Sequence, residues 1–197
     1  MSIELLQKIS DRFNVAVTFH NEQSQLFTIL SLQGFSELHN YQHLDELLTL
    51  KRLKTYIIRT FGEAPPDFIP EDAGILKPLL NGRNRQQIKH SERIEIVKQA
   101  WKSYSEWETE TLSEYSAIAK KLHDSGEIAS YEYVSTIVRD VSEELKRVND
   151  TITAMENHNW DMSQITADQG TLTEAYIYKM RKLFKKFKAY HHYNSLT

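Results

Sequence analysis

Phe61-Gly-Glu-Ala-Pro-Pro-Asp-Phe-Ile-Pro-Glu-Asp-Ala-Gly-Ile-Leu-Lys-Pro-Leu-Leu-Asn-Gly-Arg-Asn-Arg85 is the one long stretch of this chain that cannot be helical throughout. It holds all four prolines and three of the six glycines of the sequence. Proline removes a backbone donor and glycine supplies the left-handed residue that ends helices. Gly62 followed by Pro65 and Pro66 therefore predicts a helix stop. The irregular stretch, residues 63 to 85, is the longest connection in the chain and is long enough to run the length of a helical bundle.

On either side of it the apolar residues recur at intervals of three and four, the period of an amphipathic helix. Upstream, Leu5, Ile9, Phe13, Val17, His20, Ser24 and Phe27 define a first helix over about residues 3 to 33, with Gly34 as its expected stop. Phe35 opens a second, carrying Leu38, Leu44, Leu47, Leu50, Leu53, Ile57 and Phe61. Downstream, Ile94, Val97, Trp101, Tyr104, Thr111, Tyr115, Ile118 and Leu122 mark a third from about residue 90. A short His123-Asp-Ser-Gly-Glu127 turn permits an antiparallel return along Tyr131, Val134, Ile137, Val141, Leu145, Val148, Ile152 and Met155. A loop ending near Gly170 is expected next, then Thr171-Leu-Thr-Glu174 as the cap of a basic last helix. The expected fold class is all-α, with residues 1–160 forming the bundle and 161–197 a loop and C-terminal helix.

The net charge of -3 and the pI near 6.2 supply no general attraction for phosphate backbones. With no cysteine, disulfides, thiolate metal sites and cysteine nucleophiles are excluded, so a metal would need His, Asp or Glu. The N-terminus has no uninterrupted apolar region and no segment approaches a membrane span, which predicts a cytoplasmic protein that does not enter membranes. No glycine-rich phosphate loop and no serine, threonine or lysine in a catalytic setting supports a hydrolase or transferase reading. Trp101, Trp107 and Trp160 read as packing anchors.

Leu26-Phe-Thr-Ile-Leu-Ser-Leu-Gln-Gly-Phe-Ser-Glu-Leu-His39 resembles the end of the first helix and the start of the second in the starvation-type ferritins that protect DNA. Arg59-Thr-Phe-Gly-Glu-Ala-Pro65 is similar to the helix-ending Gly-x-x-Pro of those proteins and of ferritins. This resemblance to the ferritin-like superfamily covers roughly residues 10 to 155 and rests mainly on helix lengths and breaks. It implies an antiparallel four-helix bundle with a long crossover between helices two and three and an additional C-terminal helix. It also implies a homo-oligomer that binds iron, zinc being the weaker expectation, for storage or for oxidation of ferrous iron by oxygen.

In that family the centre takes a carboxylate from each of two helices and Glu-x-x-His from others. This chain contains no Glu-x-x-His. Counted back from Gly62, the second-helix Glu and His fall on Leu47 and Leu50, and the first-helix position falls near Asn14. The second-helix carboxylates of the starvation-type group fall near Arg52 and Tyr56. Two readings stay open: a metal centre with an atypical ligand set, or a bundle without a centre that serves as an interaction or assembly module.

The candidate ligands are Glu108, Glu144, His20, Glu22, His39, His43 and Glu46. Glu108 lies on the apolar stripe between Tyr104 and Thr111, and Glu144 lies beside Val141 and Leu145. A carboxylate so placed needs a partner, either a metal held between facing helices or a Lys or Arg. His39-x-x-x-His43 with Glu46 sets two imidazoles one turn apart, able to chelate a metal or simply to be solvated. His20 and Glu22 are the first-helix candidates, although a histidine on an apolar face is more often a satisfied core residue. The basic C-terminal helix, with Tyr176, Phe184, Phe187 and Tyr190 among Lys179, Arg181, Lys182, Lys185, Lys186 and Lys188, is expected to pack or to drive oligomerisation, nucleic-acid binding being the lesser alternative.

Overall fold

A computed structural model describes residues 2–66, 70 and 72–194. Its elements are α1 (Ser2–Ile29), α2 (Gln33–Phe61), the short α3 (Leu76–Leu80), a single 3-10 turn (Arg85–Gln87), α4 (His90–Asp124), α5 (Ile128–Asn157) and α6 (Met162–Asn194). Among the described residues there is no β-strand, and no helix is long and apolar enough to cross a membrane.

The helix ends follow from local chemistry. Gly62 sits in the left-handed region at φ 74 and donates its N–H to the Ile58 carbonyl at 2.9 Å, and the prolines beyond it forbid another turn. Gly126, at φ 76, does the same work in the tight link between α4 and α5. Two ends differ from the sequence expectation. The α1–α2 turn is made by Ser31, at φ 57, and not by Gly34, which lies inside the first turn of α2. The last helix begins at Met162 and not at Thr171, because Asp161 accepts the N–H groups of Ser163 (2.8 Å) and Gln164 (3.0 Å) and so caps it. Gly170 is then an interior residue of α6.

Two apolar clusters fix the helix directions. One gathers Leu26 and Phe27 of α1, Phe35 and Leu38 of α2, Val97 and Trp101 of α4, and Val148 and Met155 of α5. The other gathers Leu6 and Ile9, Leu53 and Ile57, Ile118 and Leu122, and Val134 and Ile137 of the same four helices. α2 and α4 therefore run parallel from the first cluster to the second, while α1 and α5 run the other way. Parallel neighbours require a connection that returns along the bundle. The chain between Gly62 and His90 provides it.

That crossover is fastened by named bonds. Glu22 of α1, buried, accepts the backbone N–H groups of Ala73 (2.8 Å), Ile75 (2.9 Å) and Leu76 (3.3 Å). Leu80 is buried in the first cluster. Arg83 donates to Glu92 at 3.0 Å, Arg85 reaches the Ser31 hydroxyl at 2.6 Å, and Arg93 donates to the Leu30 carbonyl.

α6 lies along α2 in the same direction. The Gly34 N–H donates to the Gln169 side chain at 2.9 Å, and further along Arg181 donates to the Tyr41 hydroxyl at 3.2 Å and to Glu37. A Cβ built on Gly34 would meet Gln169 Cγ at 3.0 Å and its carbonyl carbon and oxygen at 3.1 Å. Glycine is required here by the approach of a neighbouring backbone. Gly34→Ala is expected to lower the thermal midpoint, overpacking costing about 1–3 kcal/mol against the helix preference of alanine, about 1 kcal/mol. Thermal melts followed by circular dichroism measure the balance; an unchanged or raised midpoint would show that α6 yields at no cost.

Candidate metal centre

Between the two apolar clusters the bundle interior changes character. His20, His39, Gln42 and Glu108 are all buried there, and Glu46 and Glu144 turn their carboxyl groups into the same layer. The layer draws on α1 (His20), α2 (His39, Gln42, Glu46), α4 (Tyr104, Glu108) and α5 (Glu144).

A ring nitrogen of His20 and one carboxylate oxygen each of Glu108 and Glu144 lie within 4.8 Å of one another. His20 Nδ1 is 3.0 Å from His39 Nδ1, so one ring carries its proton there and the other accepts it. Nε2 of His20 is buried without a hydrogen-bond partner and is the nitrogen left for a cation. The Tyr104 hydroxyl donates to Glu144 Oε1 at 2.5 Å, and the Gln42 amide donates to both Tyr104 and Glu144. An imidazole with two carboxylates suits iron, zinc or manganese. The contacts of His20 with His39 and of Glu144 with Tyr104 and Gln42 are the sort that orient metal ligands.

The remaining sequence candidates are distributed differently. Glu46 joins the layer: its charge raises the proton affinity of Glu108. His39 and His43 do not form a chelating pair. His39 faces His20 and stacks on Phe27 at 5.4 Å between ring centres, whereas His43 donates through Nδ1 to the Val17 carbonyl at 2.9 Å. Glu22 is outside the centre, both of its oxygens being taken by the crossover backbone. Leu47 is exposed and Leu50 belongs to the second apolar cluster, so neither position of the missing Glu-x-x-His contributes a polar group. Gln42 and Tyr104 were not singled out by sequence. Their signal was spacing: His39, Gln42, His43 and Glu46 share one face of α2, and Tyr104 stands one turn before Glu108. In the basic C-terminal segment, Arg181 and Lys182 are exposed, and the side chains of Lys179, Phe184, Lys185, Lys186, Phe187, Lys188 and Tyr190 lie outside the described residues.

Burial sets the protonation of the layer. It pushes Glu108 well above the usual carboxylate range, and the Glu144 and Glu46 charges push it further against the opposing Arg12 and Arg147. Burial raises Glu144 too, opposed by its bond from Tyr104. Glu46 is held well up by burial and by Glu144 and Asp45. His20 is lowered to about 3 by burial and then by His43, and His39 is well below 6.5 through burial and His20. Without a cation, burial favours the protonated form of the carboxyls and the neutral form of the imidazoles.

The stability consequences have opposite signs. From the ordinary carboxylate value of 4.5 up to its raised native one, Glu108 holds a proton that the unfolded chain has lost, so stability falls as pH rises. From 6.5 down to about 3 the unfolded chain protonates His20 and the native one does not, so stability falls as pH drops. Glu108→Gln, which keeps the shape and removes the titration, is expected to raise the melting temperature of chelator-treated protein at pH 8 and to lose that advantage near pH 4.5. Melts over that pH range check it, and an advantage that is constant with pH would mean Glu108 does not carry the raised proton affinity. Glu22→Gln should lower the thermal midpoint because it weakens the grip on the crossover N–H groups, and an unchanged midpoint in circular dichroism melts would show that those bonds hold nothing.

No protein-family model matches this sequence, and no curated protein is similar to it. The structure, in contrast, is similar to that of a humanized archaeal ferritin, with a TM-score of 0.70, 87% of this chain and 94% of that chain covered, and 15% sequence identity. The likeness is one of fold: the chain has the ferritin-like four-helix fold.

Proposed function

We propose that this chain binds a divalent transition metal, ferrous iron foremost, at His20, Glu108 and Glu144 in the middle of its bundle, and that it stores the ion or presents it for oxidation by oxygen. The observation that carries this is the meeting of those three side chains from three helices, with the one free nitrogen of His20 sealed from solvent. A buried orphaned nitrogen costs stability unless something occupies it. A dication would take that nitrogen and displace the protons that Glu108 and Glu144 otherwise hold.

The preference for iron draws on the likeness to a ferritin and on the donor set, zinc being the second choice. With Leu50 in the core and Leu47 facing out, α2 offers no Glu-x-x-His, which favours a single ion over the pair of the usual ferritin centre. Self-association is supported by Leu44, Leu47 and Ile58, exposed along one face of α2. The same lack of an α2 ligand pair favours a second reading, a bundle kept as an assembly module without a metal.

Protein purified without chelators and titrated anaerobically with ferrous iron separates the two. About one ion per chain is expected, with protons released on binding and affinity rising with pH as the carboxyls ionise. Glu108→Ala combined with Glu144→Ala should abolish stoichiometric binding. Binding that survives the double substitution would show the ligands to be wrong, and no binding by the parent chain would leave the assembly module as the function.

A further inference from the structure

Of the candidate triad, Glu144 lines open space as well as the buried layer. Two cavities reach it from the side covered by α6. One, of about 230 Å³, is walled mainly by Leu38, Trp101, Val148, Leu172 and Tyr176. The other, of about 180 Å³, lies between α2, α5 and α6 and is lined by Asp45, Glu46, Asp140, Glu143 and Glu144, with Arg52 and Arg147 as the opposing charges. The carboxylates of the second cavity are graded in depth. Asp140 and Glu143 are exposed, Asp45, Glu46 and Glu144 are half-buried, and Glu144 is grouped with the buried Glu108 and His20.

We propose that this second cavity is the entrance through which a divalent cation reaches the buried centre, Asp140 and Glu143 capturing it from solvent and Glu46 passing it to Glu144. The inference rests on the metal reading above. Its independent support is where the cavity ends: on Glu144, which is grouped with the sealed, unpartnered nitrogen of His20. A cleft in which one sign of charge predominates, here five carboxylates against two guanidiniums, concentrates counter-ions and speeds their arrival. The first cavity borders Glu144 too, but its wall is mostly apolar and offers a hydrated ion little. Glu46 fits a relay because it lines the cavity together with Glu144, between the exposed carboxylates and the buried group.

The cavities share Glu144, Arg147 and Tyr176 but can be blocked separately. Thr49 lines only the second and Thr151 only the first, and both are half-buried. Stopped-flow absorbance with Co²⁺ in excess over the full chain measures the uptake rate, and chelator competition measures release. Thr49→Trp is expected to slow uptake and release alike by about tenfold, leaving the dissociation constant within a factor of two, while Thr151→Trp changes neither. Asp140→Asn with Glu143→Gln, both surface positions, should slow uptake about tenfold at low salt, with the deficit shrinking as ionic strength rises. Unchanged rates in Thr49→Trp and in the surface double variant, or slowing by Thr151→Trp, would overturn the entrance while leaving the metal centre in place. A parent chain that takes up no Co²⁺ and no ferrous iron would overturn the centre itself.

Discussion

Three carboxyl groups and two imidazoles are packed into one layer across the middle of a helical bundle, and they cannot all keep their solution charges there. Removing an ionised carboxylate from water costs several kcal/mol unless a partner offsets it. Here the carboxylates crowd one another beside two histidines whose own burial disfavours the charged form, with Arg12 and Arg147 only partly opposing them. The layer has two ways out: to carry protons on the acids and none beyond neutrality on the imidazoles, or to hold a cation. The hydroxyl of Tyr104 and the amide of Gln42, both aimed at Glu144, serve either state because a carboxylate bound on one oxygen keeps the other available.

The rest of the fold supplies the apolar surroundings that make this layer consequential. Above and below it the same four helices close into apolar clusters, so the polar groups are walled from solvent along the bundle axis. The parallel arrangement of α2 and α4, forced by the crossover, brings Gln42 and Glu46 to the level of Tyr104 and Glu108. Glu22 contributes from a distance: by gathering three N–H groups of the crossover it holds that return path against α1. α6 then covers the seam between α2 and α5, with Tyr176 and Met180 buried over it. On that side two cavities meet at Glu144.

Relative to the ferritin pattern, the main departure lies on α2. The apolar residue Leu50 takes the place expected for a histidine and extends the second cluster, while the polar groups of α2 stand one to three turns earlier in the chain. The polar layer has in effect moved along the helix toward His39 and Gln42. That shift brings a histidine of α1 opposite the carboxylates of α4 and α5, and it fills the space on the α2 side with the stacked pair His20 and His39, 5.3 Å between ring centres. The layer offers fewer donors than a Glu-x-x-His set would, so the proposed centre would hold a single ion.

The five long helices, the crossover and the stop at Gly62 were legible in the sequence, because apolar spacing and the placement of glycine and proline are local properties that act over a few residues, whereas the short α3 inside the crossover and the full length of α6 were not. Glu108 and Glu144 were legible too, as carboxylates standing on apolar stripes. Two helix ends were misplaced for an equally physical reason: Gly34 and Gly170 look like stops, yet one is needed for the approach of Gln169 and the other simply lies inside α6. What no local pattern could reveal is which polar residues meet. His39 and His43 are one turn apart and yet point to different partners, and Glu22, two residues from His20, faces the crossover and not the centre. Those assignments depend on the relative rotation of helices far apart in sequence, and only the packing of the four-helix core decides it.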